Sequence, residues 1–178
     1  VGSFGWTTDL APVAQYMPPR EGFEDTFSDF QNRVKGDYPL QLFTPHYLRR
    51  SHSIFDNVRW MRRAFPEELM MNPLDAEPRG IKTGDIVKVT SRHGVVIRPV
   101  LVTAEIVPGV VALGEGAWAD KDDETGIDRA GATNSLAGSL PCGQGVQPWN
   151  TNNVEIEKYD GKLPADYTWA QRIVLKEE

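Results

Sequence analysis

The greatest density of chemically useful side chains lies in one stretch, Thr44-Pro45-His46-Tyr47-Leu48-Arg49-Arg50-Ser51-His52-Ser53. Two arginines, two histidines, two serines and a threonine fall within these ten residues. Together they donate many hydrogen bonds, and arginine engages phosphate oxygens through two parallel N–H bonds. The chemistry this suits is the binding of an anionic or heterocyclic ligand that needs donors on several edges. A solvated loop with incidental charge accounts for the composition about as well. His46 and His52 have no Asp, Glu or Cys partner at metal-ligand spacing, so no metal site is expected from this segment.

Amides gather in two further places. Asn134 sits in Gly131-Ala132-Thr133-Asn134-Ser135-Leu136, and Gln147 and Asn150 lie in the run from Gly143 to Asn153. An amide both donates and accepts, which suits a ring edge, and glycine lets backbone approach a ligand closely. The competing explanations are helix capping by Thr133 or Asn134 and loop side chains bonding their own backbone. Trp118 with Asp120, Asp122, Asp123 and Glu124 offers carboxylates of the kind that glycoside hydrolases pair across a sugar. No second carboxylate motif accompanies them, and a solvated acidic loop is the expectation. The chain has no Gly-x-Ser-x-Gly elbow, and Gly80–Gly84 lacks the Gly-Lys-Ser/Thr ending of a P-loop.

The elements that must position these groups are short. Strands are expected at Pro39–Phe43, Glu68–Met71, Ile86–Ser91, Val95–Ala104, Val110–Leu113, Asn153–Lys158 and Arg172–Leu175. Arg92-His93-Gly94 turns the third of them into the fourth as a hairpin. Asn72-Pro73-Leu74-Asp75-Ala76 reads as a capped helix start, with Asn72 as cap, Pro73 in the first position and Asp75 at the positive end. Gly80 ends it with a positive φ. A short helix is expected at Asn57–Phe65, from the spacing of Val58, Met61 and Phe65, and another within Phe23–Phe30. Short strands separated by turn signals imply a small barrel or sandwich, with function in the loops it carries.

Composition narrows the classes. The 178 residues provide one full domain plus an extension, read as residues 1–37 followed by a barrel over residues 38–178. The extension carries Phe4, Trp6, Tyr16, Phe23, Phe27 and Phe30, too many aromatics for a solvated tail, and is expected to pack on a neighbour or on the barrel. A net charge of −6 argues against a nucleic-acid partner. The single cysteine, Cys142, excludes a disulfide framework and a four-cysteine cluster within this segment. Val1 is not an initiator methionine, so a segment of a longer protein is expected.

The order of motifs is more specific than any one of them. Tyr38-Pro39-Leu40-Gln41-Leu42-Phe43-Thr44-Pro45-His46, then Arg50-Ser51-His52-Ser53, resembles the opening of the molybdopterin-dinucleotide-binding domain of the dimethyl sulfoxide reductase family. Asn72–Ala76, Arg79–Val87, Pro108–Val111, Gly116-Ala117-Trp118, Gly126–Arg129, Asn134-Ser135-Leu136 and Asn150–Lys158 continue in the family's order. The details are most similar to the catalytic subunit of the anaerobic, membrane-associated three-subunit type.

The resemblance implies a mainly β fold with short helices, a double-psi β-barrel of the aspartate decarboxylase type. It implies a chain that closes over bis(molybdopterin guanine dinucleotide) and is not catalytic alone, the molybdenum ligand and the iron–sulfur cysteines lying in earlier domains. By the same resemblance, Thr44, Pro45, His46, Arg50, His52 and Ser53 line one pterin and its phosphates. Asn134 and Asn150 hold ring-edge contacts, with Gln147 nearby. Asn150 is a neutral amide where relatives carry lysine. The implied partners are the preceding domains of the same chain, an iron–sulfur electron-transfer subunit and a membrane anchor subunit. The implied location is the exported face of a prokaryotic membrane. A rival reading of the same barrel is a stand-alone protein-interaction module, since this fold alone does not fix a function.

Overall fold

The computed structural model describes residues 19–139 and 150–161, together with residues 13, 14 and 16. Gln147, Cys142 and the expected strand Arg172–Leu175 lie outside the described residues.

Two short strands come first, β1 (Phe27–Asp29) and β2 (Val34–Lys35). They pair antiparallel as a separate hairpin. Residues Phe23–Phe30 mix aromatics with acids, the basis for expecting a short helix there. The chain instead makes a single 3-10 turn at Glu24–Thr26 and then extends. The rings of Phe23, Phe27 and Phe30 cluster edge to face, with centroids 5.3 to 6.0 Å apart. Arg33 covers Phe30 at 4.4 Å and Lys35 covers Phe27 at 4.1 Å from the ring centroids, the second contact reaching across the hairpin. Two long-range contacts tie this hairpin region to distant parts of the chain. Asn153 Nδ2 donates to the Gly22 carbonyl at 2.9 Å, and His93 Nε2 lies 2.8 Å from a Glu21 carboxylate oxygen.

Six strands then close a barrel: β3 (Leu40–Phe43), β4 (Leu69–Met71), β5 (Ile86–Ser91), β6 (Val95–Val102), β7 (Val110–Ala112) and β8 (Asn152–Lys158). Around the wall the order is β3-β7-β4-β6-β5-β8. The β3·β7 and β4·β6 pairs are parallel and the other four antiparallel. This interleaving of two parallel pairs in a closed six-stranded wall is the double-psi barrel. Closure leaves no strand edge of the barrel unpaired.

The sequence pattern explains the wall. In β5, burial alternates residue by residue, with Val87, Val89 and Ser91 inward. Leu40, Leu42, Leu69, Met71, Val96, Val100, Val111, Val154 and Ile156 complete one continuous interior. Strand β6 departs from alternation because its outer face is covered too. Ile97 packs against Ile86, Ile127 and Tyr159, and the Ile97 amide donates to the Asp128 carbonyl at 3.1 Å.

Two helices bridge the strands. Helix α1 (Arg59–Ala64) lies within the expected Asn57–Phe65. Helix α2 (Pro73–Ala76) starts as its sequence signals: Asn72 Oδ1 accepts from the Leu74 amide at 2.9 Å, with Pro73 in the first turn. The 3-10 turn after it ends at Gly80 with φ +64°, which glycine adopts without strain. Asp75 Oδ2 accepts from the Gly109 amide at 2.7 Å, fastening this unit to the turn before β7.

Candidate functional site

Strands β3 and β7 run parallel, with Phe43 opposite Ala112, so the loops leaving their C-terminal ends emerge side by side. Two backbone bonds keep them together beyond the strands: the Leu113 amide donates to Phe43 O and the Glu115 amide to Pro45 O, each at 3.0 Å. The donor-rich segment after β3 and the Gly114-Glu115-Gly116 turn after β7 therefore form one structure.

A cleft of about 300 Å³ opens at this junction, lined by Thr44, His52, Ser53, Glu115, Gly116, Thr133, Asn134 and Ala137. It gathers four of the residues expected to bind a ligand, Thr44, His52, Ser53 and Asn134, from two distant parts of the chain. Asn150 stands behind them: its Oδ1 accepts from the Thr44 amide at 2.9 Å and from Thr44 Oγ1 at 2.8 Å, orienting that hydroxyl. The Asn134 turn is a 3-10 turn at Thr133–Ser135 that begins at Ala132 with no side-chain cap. Capping therefore does not explain Asn134, whose exposed amide borders the cleft. His46 and Pro45 border a second opening on the other side of the same loop, with Tyr47, Leu48, Arg49, Phe65 and Met70.

Glu115 and Gly116 were not singled out as site residues from sequence. Glu115 Oε1 lies 2.8 Å from His46 Nδ1 and 2.9 Å from His52 Nδ1. Gly116 has φ +92°, and a Cβ there would stand 1.9 Å from the His52 carbonyl oxygen. In the sequence Gly116 stood out only as part of the Gly116-Ala117-Trp118 motif, and no local signal marked Glu115.

Arg50 occupies a different position from its neighbours. Its side chain is about 5% exposed. Nη1 donates to Asp56 Oδ1 at 2.8 Å, and Nη2 donates to Glu67 Oε1 at 2.7 Å and to the Glu115 carbonyl at 2.6 Å. Arg62 bonds the other side of Asp56, and Arg98 reaches Glu67 Oε2 at 3.2 Å. The result is a buried chain of alternating charges, Arg62, Asp56, Arg50, Glu67 and Arg98, beneath the loop. Burial alone would raise the Asp56 carboxyl, but bonds from Arg62 and the Trp118 amide, with the Arg62 and Arg50 charges, hold it below the usual range. Burial dominates at Glu67 and pushes its carboxyl up despite Arg98 and Arg50. Burial would lower the Arg50 guanidinium, yet Glu67 and Asp56 together push it higher. Arg50 thus holds the shape of the loop from below.

The acidic loop is occupied with its own fold. Asp122 Oδ1 accepts from the Glu124 and Thr125 amides and from Thr125 Oγ1, and Asp120 pairs with Arg129 at 2.9 Å. Asp128 is fully buried. Its Oδ1 accepts from the amides of Asp120, Ala130 and Gly131, and its Oδ2 from Ser135 Oγ, so it anchors the turn that presents Asn134.

A molybdopterin fits this arrangement: a fused polar ring system needs donors and acceptors on its edges, and the cleft offers hydroxyls at Thr44, Ser53 and Thr133, an imidazole at His52 and an uncapped amide at Asn134. Comparison with known proteins agrees. Residues 40–148 match the family described as Molydopterin dinucleotide binding domain. Dimethyl sulfoxide reductase DmsA of Haemophilus influenzae is 41% identical over 134 residues, covering 75% of this chain and 16% of the relative. Its Escherichia coli counterpart is 39% identical over 148 residues, covering 83% and 18%. Trimethylamine-N-oxide reductase of H. influenzae is 39% identical over 147 residues, covering 76% and 18%. The chain thus spans less than a fifth of the length of these relatives. Acetylene hydratase from Pelobacter acetylenicus shares the fold, with a TM-score of 0.66 at 18% identity over 83% of this chain and 21% of that one. The barrel, its cleft and these likenesses lead to one conclusion: the chain belongs to the molydopterin dinucleotide binding domain family.

Proposed function

We propose that this chain is the part of a molybdenum-dependent S-oxide or N-oxide reductase that binds and orients bis(molybdopterin guanine dinucleotide), without catalytic residues of its own. The observation that carries this reading is the cleft itself, where Thr44, His52, Ser53 and Asn134 meet on the rim of a closed barrel. Thr44, Ser53, His52 and Asn134 bind pterin edges and phosphate oxygens. Pro45 and His46 continue that surface on the outer side of the loop, Asn150 sets the Thr44 hydroxyl, and Arg50 holds the loop in shape. Gln147 joins the amide contacts. When bound, the cofactor supplies oxygen-atom transfer at molybdenum, and the protein's share is binding and orientation.

The remaining parts of this reading extend the resemblance of the sequence to the dimethyl sulfoxide reductase family. The preceding domains of the same polypeptide carry the molybdenum ligand and an iron–sulfur cluster. An electron-transfer subunit with iron–sulfur centres and a membrane anchor subunit complete the complex on the exported face of the membrane. Residues 1–37 act as the connection from the preceding domain into the barrel.

The test is cofactor content. In the full-length protein, Asn134→Ala combined with His52→Ala removes two exposed cleft side chains without touching the core. Molybdenum and guanine nucleotide per chain, measured after purification, are expected to fall at least several-fold while hydrogen exchange of the barrel strands is unchanged. Content equal to the wild type would overturn the assignment of this cleft.

A further inference from the structure

We propose that His93 is a positioning residue for the cofactor cleft: from the turn between β5 and β6, with Glu21 orienting its ring, it seats the turn that presents Asn134. This role rests on the assignment of Asn134 to the cofactor, whereas His93 itself does not line the cleft. The turn between β5 and β6 is tightly closed. Ser91 Oγ accepts from the His93 and Gly94 amides at 3.0 and 3.2 Å, and the Ser91 amide donates to the Gly94 carbonyl at 2.9 Å.

This closed tip lies against the segment that follows Asn134. A Cβ on Gly94 would stand 2.2 Å from the Ser135 carbonyl oxygen, so backbone meets backbone there. Gly94 does not have a positive φ, and close approach rather than turn geometry is what calls for glycine. The His93 ring makes the second contact. Gly138 is buried against it, and a Cβ there would stand 2.8 Å from Nε2 and 3.0 Å from Cε1. Residues 135 to 138 are thus held at one end by Gly94 and at the other by the ring.

Glu21 fixes the ring from the far side, its carboxylate 2.8 Å from Nε2, with both side chains partly buried. A carboxylate only accepts, so Nε2 donates. Glu21 has φ +56°, a conformation that persists where the surroundings hold it. The bond from Asn153 to the next carbonyl, Gly22 O, supplies that hold. Beneath the Asn134 turn, Ser135 Oγ donates to the buried Asp128, and Leu136 is fully buried in the barrel core. The Leu136 and Ala137 amides close the turn onto the Thr133 and Asn134 carbonyls at 3.0 and 3.4 Å. Removing the His93 ring leaves Gly138 facing a void, and glycine backbone gains the most freedom when released.

The test is hydrogen exchange and molybdenum content of the full-length protein. His93→Ala is expected to speed exchange of the Leu136 and Ala137 amides at least about tenfold. Molybdenum per chain is expected to fall several-fold with it, while exchange of β3 and β7 is unchanged. Glu21→Ala and Gly94→Ala are expected to loosen the same two amides. His93→Gln keeps an N–H at the reach of Nε2 and is expected to restore both readouts, which separates the bond to Glu21 from mere filling of space. Asn134→Ala removes the amide and leaves the turn, so it is expected to lose molybdenum with Leu136 exchange unchanged. Wild-type content in that variant would count against the cofactor reading alone, since exchange reads the seating of the turn by itself. Unchanged exchange in both His93→Ala and Gly94→Ala overturns the proposal. So does a failure of His93→Gln to recover, or normal content in His93→Ala where Asn134→Ala loses it.

Discussion

Arg50→Ala is expected to loosen the whole donor-rich loop and to destabilise the barrel beneath it by roughly 3–5 kcal/mol, the cost typical of removing one member of a buried charge pair. The reason lies in what is left behind. Asp56 and Glu67 are 2% and 7% exposed. Without Arg50, Asp56 keeps Arg62 and the Trp118 amide, and Glu67 keeps Arg98, but two carboxylates then share too little positive charge in a low-dielectric setting. Native-state hydrogen exchange of β4 and β6 in the full-length protein measures the effect. The carboxyl groups give it a pH dependence. Glu67 already stands above the usual range, and losing a neighbouring cation raises it further. A group with a raised folded value stabilises below its unfolded value and loses that contribution as pH rises through the folded one. The deficit of the variant is therefore largest near neutral pH and narrows as pH falls toward the ordinary carboxylate range of about 4. A pH-independent deficit, or none, would show that the ion chain does not hold the loop.

Gly116→Ala is expected to have the second large effect, and a local one. The backbone there has φ +92°, which an alanine adopts at a cost of about 1–2 kcal/mol. The added Cβ would also stand 1.9 Å from the His52 carbonyl oxygen and 2.5 Å from its carbon, and backbone cannot yield as a flexible side chain does. The His52–Ser53 turn must move away from Glu115. Loss of cofactor content with little change in exchange protection of β5 and β8 is the predicted outcome. A variant with wild-type content would mean that the turn has slack the structure does not show.

The legible parts of this molecule were those governed by local rules. The strand Ile86–Ser91, the Asn72-Pro73 helix start and the Gly80 stop each depend on residues within a few positions, and each appears as the sequence indicated. The short helix expected within Phe23–Phe30, from its mix of aromatics and acids, is a single 3-10 turn followed by a strand, because the rings pack on one another and Lys35 covers Phe27 across the hairpin. The site was legible as a set of residues and not as an arrangement. Thr44, His52, Ser53 and Asn134 could be named one by one, whereas their meeting depends on β3 and β7 lying parallel. Arg50 could not be distinguished from Arg49 by type or neighbourhood. Only the fold brings Glu67, 17 residues away, beneath it. Glu115 is hidden in the same way, since the carboxylate that the two histidines lacked in sequence arrives from the end of another strand.

The most direct measurement is an experimental density map of the cofactor-loaded, full-length protein. The account predicts pterin and dinucleotide density in the cleft between the Thr44–Ser53 loop and the Asn134 turn. Ligand polar atoms should lie within hydrogen-bond distance of Thr44, Ser53 and Asn134, with Arg50 still bonded to Asp56 and Glu67. A cofactor seated elsewhere, with this cleft filled by solvent or by another protein segment, would contradict it.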